Sequence, residues 1–212
     1  MIYQKNDSLV ILSRSSARYF SRLNSGFTLT ELMVVLSIAA ILMAIGVPSY
    51  INFITVSNIS AESTALMGDL QYARSQAIKQ GYPVSICAAN TSGTVGSYAC
   101  NGTTNSWKNG WITYTGNTTG DITATKVLRV QLPLTSTDTI TSGSAAPVYK
   151  WCFNNFGFPT INYSAVADSC GPPTDKGSVT ISPVSGTVTS QTVCISAVGS
   201  MQSVAGGNSK CP

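Results

Sequence analysis

Apolar and polar positions divide the chain into a helical regime and a regime of short strands. From Phe27 to Val47 the run FTLTELMVVLSIAAILMAIGV is almost wholly apolar. As a helix it extends about 30 Å, the hydrocarbon thickness of a bilayer. Past Pro48 the run narrows to a stripe. Ile59, Leu66, Leu70, Ala73 and Ala77 recur at spacings of 7, 4, 3 and 4, with Ser60, Ser63, Asp69, Arg74 and Lys79 placed around them. Gly81 and Pro83 close the pattern, one as a left-handed cap and the other barring continuation. One helix is predicted over about 27–80, its first half suited to lipid and its second half a spine for the C-terminal region.

From Tyr82 the apolar residues come in short runs, some alternating and some continuous. Pro83–Ala89, Gly110–Thr115, Thr125–Leu132, Val148–Phe153, Val179–Ser182 and Val193–Ala197 are the predicted strands. Turn residues fill the gaps, notably at Gly116–Asp121, Asn154–Pro159 and Pro183–Gly186. A single helix followed by many strands predicts an α+β fold, the long N-terminal helix packed on antiparallel sheets.

Composition narrows the chemistry. Charged residues make up 9% of the 212, against roughly 25% in an ordinary soluble domain. Histidine is absent, which excludes a His-based triad, an acid-base histidine and a His-ligated metal. The second regime has no nucleophile elbow and no closely paired carboxylates, so no enzyme, metal or cofactor is expected. The Asn117-x-x-Gly-Asp121 turn offers one carboxylate, too few for a hard cation. Of the net charge of +4, most sits at the start, where Lys5, Arg14, Arg18 and Arg22 face only Asp7. From Phe27 onward eight basic residues meet seven acidic ones, which is no body for nucleic acid.

Six cysteines (Cys87, Cys100, Cys152, Cys170, Cys194 and Cys211) come after residue 80, and none forms a C-x-x-C. An even number in the polar half reads as disulfides made in an oxidising compartment, with buried free thiols as the alternative. Order along the chain makes 87–100, 152–170 and 194–211 the simplest of the possible pairings. Trp107 and Trp111 admit stacking on sugar rings or packing against helix or sheet, and their place beside a strand favours packing.

Basic residues precede the apolar run and, Glu31 apart, no charge appears until Glu62. The positive-inside rule then keeps the N-terminus cytoplasmic and exports the rest. Unlike a secretory signal peptide, the run passes through Pro48 without a small-x-small cleavage site. A carboxylate inside lipid costs on the order of 3 kcal/mol, so Glu31 marks a partner, with snorkelling at the membrane edge as the plain alternative. The stretch Gly26-Phe27-Thr28-Leu29-Thr30-Glu31-Leu32-Met33-Val34-Val35-Leu36 resembles the type IV prepilin signature, and Pro48 falls where pilins carry a helix-kinking proline. This resemblance implies that a prepilin peptidase cuts between Gly26 and Phe27 and that Phe27 is N-methylated. It also implies a partner for Glu31: the Phe27 amine of a neighbouring subunit, a pairing that offsets two desolvation penalties and fixes axial register.

Gly68-Asp69-Leu70-Gln71-Tyr72-Ala73-Arg74-Ser75-Gln76-Ala77-Ile78-Lys79, with Val84–Cys87, Trp107-Lys108-Asn109-Gly110-Trp111 and Lys126–Val130, is similar to the GspH/FimT family of minor pilins and pseudopilins. Asn154–Pro159 resembles that family's Gly-centred turn. The implied organisation is a leader over 1–26, a transmembrane and assembly half of the helix over 27–48, its amphipathic half over 49–81, and a disulfide-containing β-rich region over 82–212. The implied function is a minor pilin of a type IV pilus that helps initiate assembly, beside a type II secretion minor pseudopilin or a DNA-uptake minor pilin. Implied partners are the peptidase, other minor and major pilins, and the inner membrane, crossed once with the C-terminal region periplasmic. DNA-binding members carry Gly-Arg-x-Arg in a C-terminal loop. The matching stretch, Gly199-Ser200-Met201-Gln202, lies between Cys194 and Cys211 and lacks both arginines, leaving Lys210 as the one cation there. DNA binding is therefore expected to be weak or absent, and the stretch to be a disulfide-closed surface loop or a contact to a neighbouring pilin.

Overall fold

The computed structural model describes residues 26–90, 98–100, 107–117, 121–122, 126–134, 138–142, 148–161, 170–171, 177–184, 188–206 and 211. The leader up to residue 25, Gly120, Thr125, Gly186 and Lys210 lie outside the described residues. The contacts separate a unit ending at Ala44 from one that begins at Ile45.

Helix α1 runs Leu29–Gln80. Its first turn is capped by Thr28, whose Oγ1 accepts the Glu31 amide at 3.2 Å and so satisfies one of the orphan N–H groups of a helix start. It ends at Gly81, whose φ of +65° is the left-handed cap that only glycine adopts without strain. Pro48 lies inside the helix, where it removes one amide donor. The stripe Ile59, Leu66, Leu70, Ala73 and Ala77 is buried. Ser63 and Asp69, read from the sequence as lying around the stripe, are buried with it, as is Glu62. All three sit three or four residues from stripe members, on the same face.

Strands β1 (Val84–Ala88), β2 (Tyr98–Ala99), β3 (Trp111–Thr115), β4 (Asp121–Ile122), β5 (Val127–Gln131), β6 (Thr139–Ser142), β7 (Lys150–Phe153), β8 (Pro159–Ile161), β9 (Gly177–Ser182), β10 (Gln191–Ile195) and β11 (Met201–Ala205) succeed it in order. They form a five-stranded sheet β5-β3-β1-β7-β8, a four-stranded sheet β11-β10-β9-β6 and the pair β2-β4. Every described pairing is antiparallel. The architecture is thus α+β, one long helix packed on antiparallel sheets.

Strand β1 is buried along its whole length, which explains its continuously apolar sequence. Val84, Ile86 and Ala88 join the helix stripe, Trp107, Trp111, Trp151 and Phe153 in one core. Cys87 points the other way, toward Ala89, Cys100, Ile112, Tyr114 and Ile122. Val179, Ile181, Val193 and Ile195 bring the four-stranded sheet into the first core. Three disulfides, Cys87–Cys100, Cys152–Cys170 and Cys194–Cys211, each join neighbours in the sequence and leave no free cysteine. Each closes a loop of fewer than 20 residues, worth about 3 kcal/mol in the chain-entropy model.

Pro159, read as part of a turn, begins β8, the edge strand where proline's missing donor is tolerated. Both tryptophans pack inside: Trp107 tilts against Trp151 with centroids 5.0 Å apart and donates Nε1–H to the Val148 carbonyl at 2.8 Å. Neither is exposed for a sugar ring.

Candidate assembly site

Three groups of residues carry the functional reading. The first is Gly26 to Pro48. Phe27 is exposed, Glu31 is exposed in the first turn of the helix, and from Leu32 to Val47 every side chain except Ala39 is exposed. Helix α1 is long and apolar enough to cross a membrane by length and composition. An uninterrupted apolar surface of this extent calls for lipid or protein around it.

The second group joins helix to sheet. The Asp69 carboxylate accepts from Trp111 Nε1 at 2.8 Å through Oδ2, and from Arg129 through Oδ1. The carboxylate is buried and the guanidinium half exposed. Arg129 lies 4.2 Å above the Tyr72 ring, one helical turn beyond Asp69, in cation-π contact. The Asp69 hydrogen bond raises the Arg129 pKa further. Segments singled out in the sequence around Gly68–Lys79, Trp107–Trp111 and Lys126–Val130 thus converge on one anchor. The sequence clue to Asp69 is its spacing, three residues after Leu66 and four before Ala73.

The third group is a pair of matching turns. After β7, Gly157 donates to the Asn154 carbonyl at 2.8 Å and Asn154 donates to the Phe158 carbonyl at 3.1 Å. The Asn154 Oδ1 accepts from the Phe158 amide at 2.9 Å. After β10 the same three bonds recur: Gly199 to Ser196 at 2.8 Å, Ser196 to the Ser200 carbonyl at 2.9 Å, and the Ser200 amide to Ser196 Oγ at 3.0 Å. Each is a three-residue hairpin loop closed by a glycine with positive φ, +81° and +77°. Gly199-Ser200-Met201-Gln202, expected as a disulfide-closed surface loop or a contact to a neighbouring pilin, is the end of a hairpin turn and the start of β11, within the span closed by Cys194–Cys211. Arg74 spans both turns, its Nε donating to Gly157 O at 3.1 Å and its Nη2 to Val198 O at 3.2 Å.

A helix with this apolar start, set on antiparallel sheets, defines a pilin-like subunit. The chain belongs to the family described as Type II transport protein GspH, whose model matches residues 62–199, from the inward-facing part of α1 to the second turn. The prokaryotic N-terminal methylation motif matches residues 21–47, which include Gly26, Phe27 and Glu31. No curated protein matches the chain. Two crystal structures of the type IV minor pilin FimU from Pseudomonas aeruginosa (strain PAO1) are similar to it. One, in space group P21, has 22% identity and a TM-score of 0.47, covering 74% of this chain and 93% of that one. The other, in P65, has 23% identity and a TM-score of 0.45, covering 72% and 96%.

Proposed function

We propose that the chain is a minor pilin of a type IV pilus, a structural subunit and not an enzyme. On this reading a prepilin peptidase cuts between Gly26 and Phe27, Phe27 is N-methylated, and the subunit waits in the inner membrane with its β-rich region periplasmic. It then enters a filament beside other pilins and helps initiate assembly. The observation that carries the reading is the exposed apolar start of α1 directly behind the Gly26-Phe27 junction, within the methylation motif. A second reading, a minor pseudopilin of a type II secretion machine, is favoured by the description of the matching family.

The test is to express the full chain with its peptidase and companion pilins and compare intact masses. Loss of residues 1–26 and gain of one methyl group are expected, followed by recovery in sheared filaments. Gly26→Val should remain full length, because a branched side chain crowds the peptidase site. Cleavage after residue 26 in that variant would refute the assignment.

Glu31→Ala is expected to be inserted and processed, yet to appear in sheared filaments at about a tenth of the wild-type amount. That is the effect of losing about 1.4 kcal/mol of pairing with a neighbour's amine. Wild-type recovery would remove Glu31 from assembly.

DNA uptake is disfavoured by the hairpin at Gly199–Gln202. Its cation among the described residues is Arg74, whose guanidinium is committed to the Gly157 and Val198 carbonyls. Phosphate contacts supply most non-specific affinity, so weak or absent duplex binding is expected at about 0.15 M salt. Changing Ser200 and Gln202 to Arg should raise affinity and steepen its salt dependence. Low-micromolar binding by the unchanged chain would promote the uptake reading instead.

A further inference from the structure

We propose that the two matched turns and the end of α1 form the face on which the globular region of a neighbouring pilin-type subunit docks, through a mainly apolar contact. The proposal rests on the reading of the chain as a filament subunit. Phe156 is 72% exposed, Val198 61%, Ile78 51% and Phe158 36%. Beyond Phe27 and Phe53 on the helix, the exposed phenylalanines among the described residues are these two. The four belong together in space. A Cβ placed on Gly157 would meet Ile78 Cδ1 at 2.8 Å and Arg74 Nε at 3.0 Å, and one on Gly199 would meet the Gly157 carbonyl at 2.6 Å.

The face is built to hold its shape. Each turn is locked by its own side-chain acceptor, Asn154 Oδ1 or Ser196 Oγ, and Arg74 ties both carbonyls to the helix. Apolar groups presented on ordered backbone lose little entropy on binding. Neither turn carries a charged residue. Together these facts describe an apolar contact, with half-buried Arg74 tied to the turn carbonyls and exposed Lys79 beside Ile78 at its edge.

Size selects the occupant. Four partly exposed side chains offer about 400 Å², half of the roughly 800 Å² per partner of a stable two-body complex. Neither a second copy nor a free soluble protein would stay bound by this face alone. A neighbour whose own apolar helix is already bundled with α1 meets it at high effective concentration, where a small contact suffices. Lipid is the poorer fit, because Arg74 lies 26 residues along the helix from Pro48, about 40 Å of rise.

The test places a photo-crosslinking phenylalanine analogue at Phe156 of the full chain, expressed with its peptidase and companion pilins, with Val184 as the exposed control site. A crosslink at position 156 to another subunit bearing the methylation motif, absent at position 184, is the expected result. Crosslinks to a second copy of this chain, to lipid alone, or equally from both positions would overturn the proposal. In parallel, Phe156→Ser combined with Val198→Ser should be processed and keep all three disulfides by intact mass, while its recovery in sheared filaments falls about tenfold. If the variant is recovered as well as wild type, the docking face is wrong and the filament reading stands. If wild type is recovered in no filament, the filament reading fails, and the docking proposal falls with it.

Discussion

Replacing Asp69 with alanine is expected to lower stability by about 3 kcal/mol and the melting temperature by about 9 °C. The carboxylate is nearly inaccessible, and two donors from two strands converge on it. Its loss leaves the Trp111 indole N–H buried without an acceptor, which costs about 2 kcal/mol. The Arg129 half of the anchor adds at most about 1 kcal/mol, because the guanidinium is half exposed and solvent can replace its partner. Asp69→Asn separates the two contributions: the amide oxygen still accepts from Trp111 and only the charge is lost, so about 1 kcal/mol is expected. Arg129→Met should fall between the two, because it strips the cation from a carboxylate that stays buried. The three tryptophans are all buried and report the transition by fluorescence. Equal effects of Asp69→Ala and Asp69→Asn would show that the Trp111 bond carries no weight.

This anchor marks the boundary of what a linear reading reaches. The stripe from Ile59 to Ala77 was legible because helical packing repeats apolar residues at fixed spacings. Asp69 occupies the same face, but a carboxylate there reads as solvated until its partners, 42 and 60 residues away, are in place. The first matched turn was legible from Asn154-Asn155-Phe156-Gly157-Phe158-Pro159, whereas the second, Ser196–Ser200, has no proline or asparagine to mark it. Strands β6 and β11 escaped for a related reason. Both are sheet edges with exposed, largely polar positions, so their sequences lack the apolar alternation of a buried strand. The Gly26-Phe27 junction and Glu31 are legible because they fall within a linear motif, the N-terminal methylation motif over residues 21–47. The docking face draws on three distant segments and has no linear signature.

Lys150 carries the last expectation, and its sequence position suggests nothing unusual. It sits fully buried on β7, opposite Cys87 on β1, on the face of the sheet away from the helix. Burial pushes its ammonium down from 10.5 to about 8. At pH 7 the lysine is protonated in the folded and the unfolded chain, and the folded chain bears the cost of keeping a charge from water. Between pH 8 and 10.5 the folded chain has released that proton and the unfolded chain has not. The unfolded chain then binds more protons, so stability rises with pH across this window. From about pH 7.5 to 9.5 the gain should reach about 2 kcal/mol. Above about pH 10 the trend reverses, because burial holds the Tyr114 phenol at about 12 while an unfolded tyrosine ionises near 10. Thiolate exchange does not interfere in this range, since all six cysteines are paired. Lys150→Met removes the buried charge and keeps most of the volume. The stability of the variant relative to wild type is therefore expected to fall by about 2 kcal/mol between pH 7 and 9.5, as the wild-type lysine releases its proton. Thermal melts of both proteins at pH 7, 8.5 and 9.5 check this. Parallel stability curves, with a constant gap across the three, would mean that Lys150 does not titrate inside the fold.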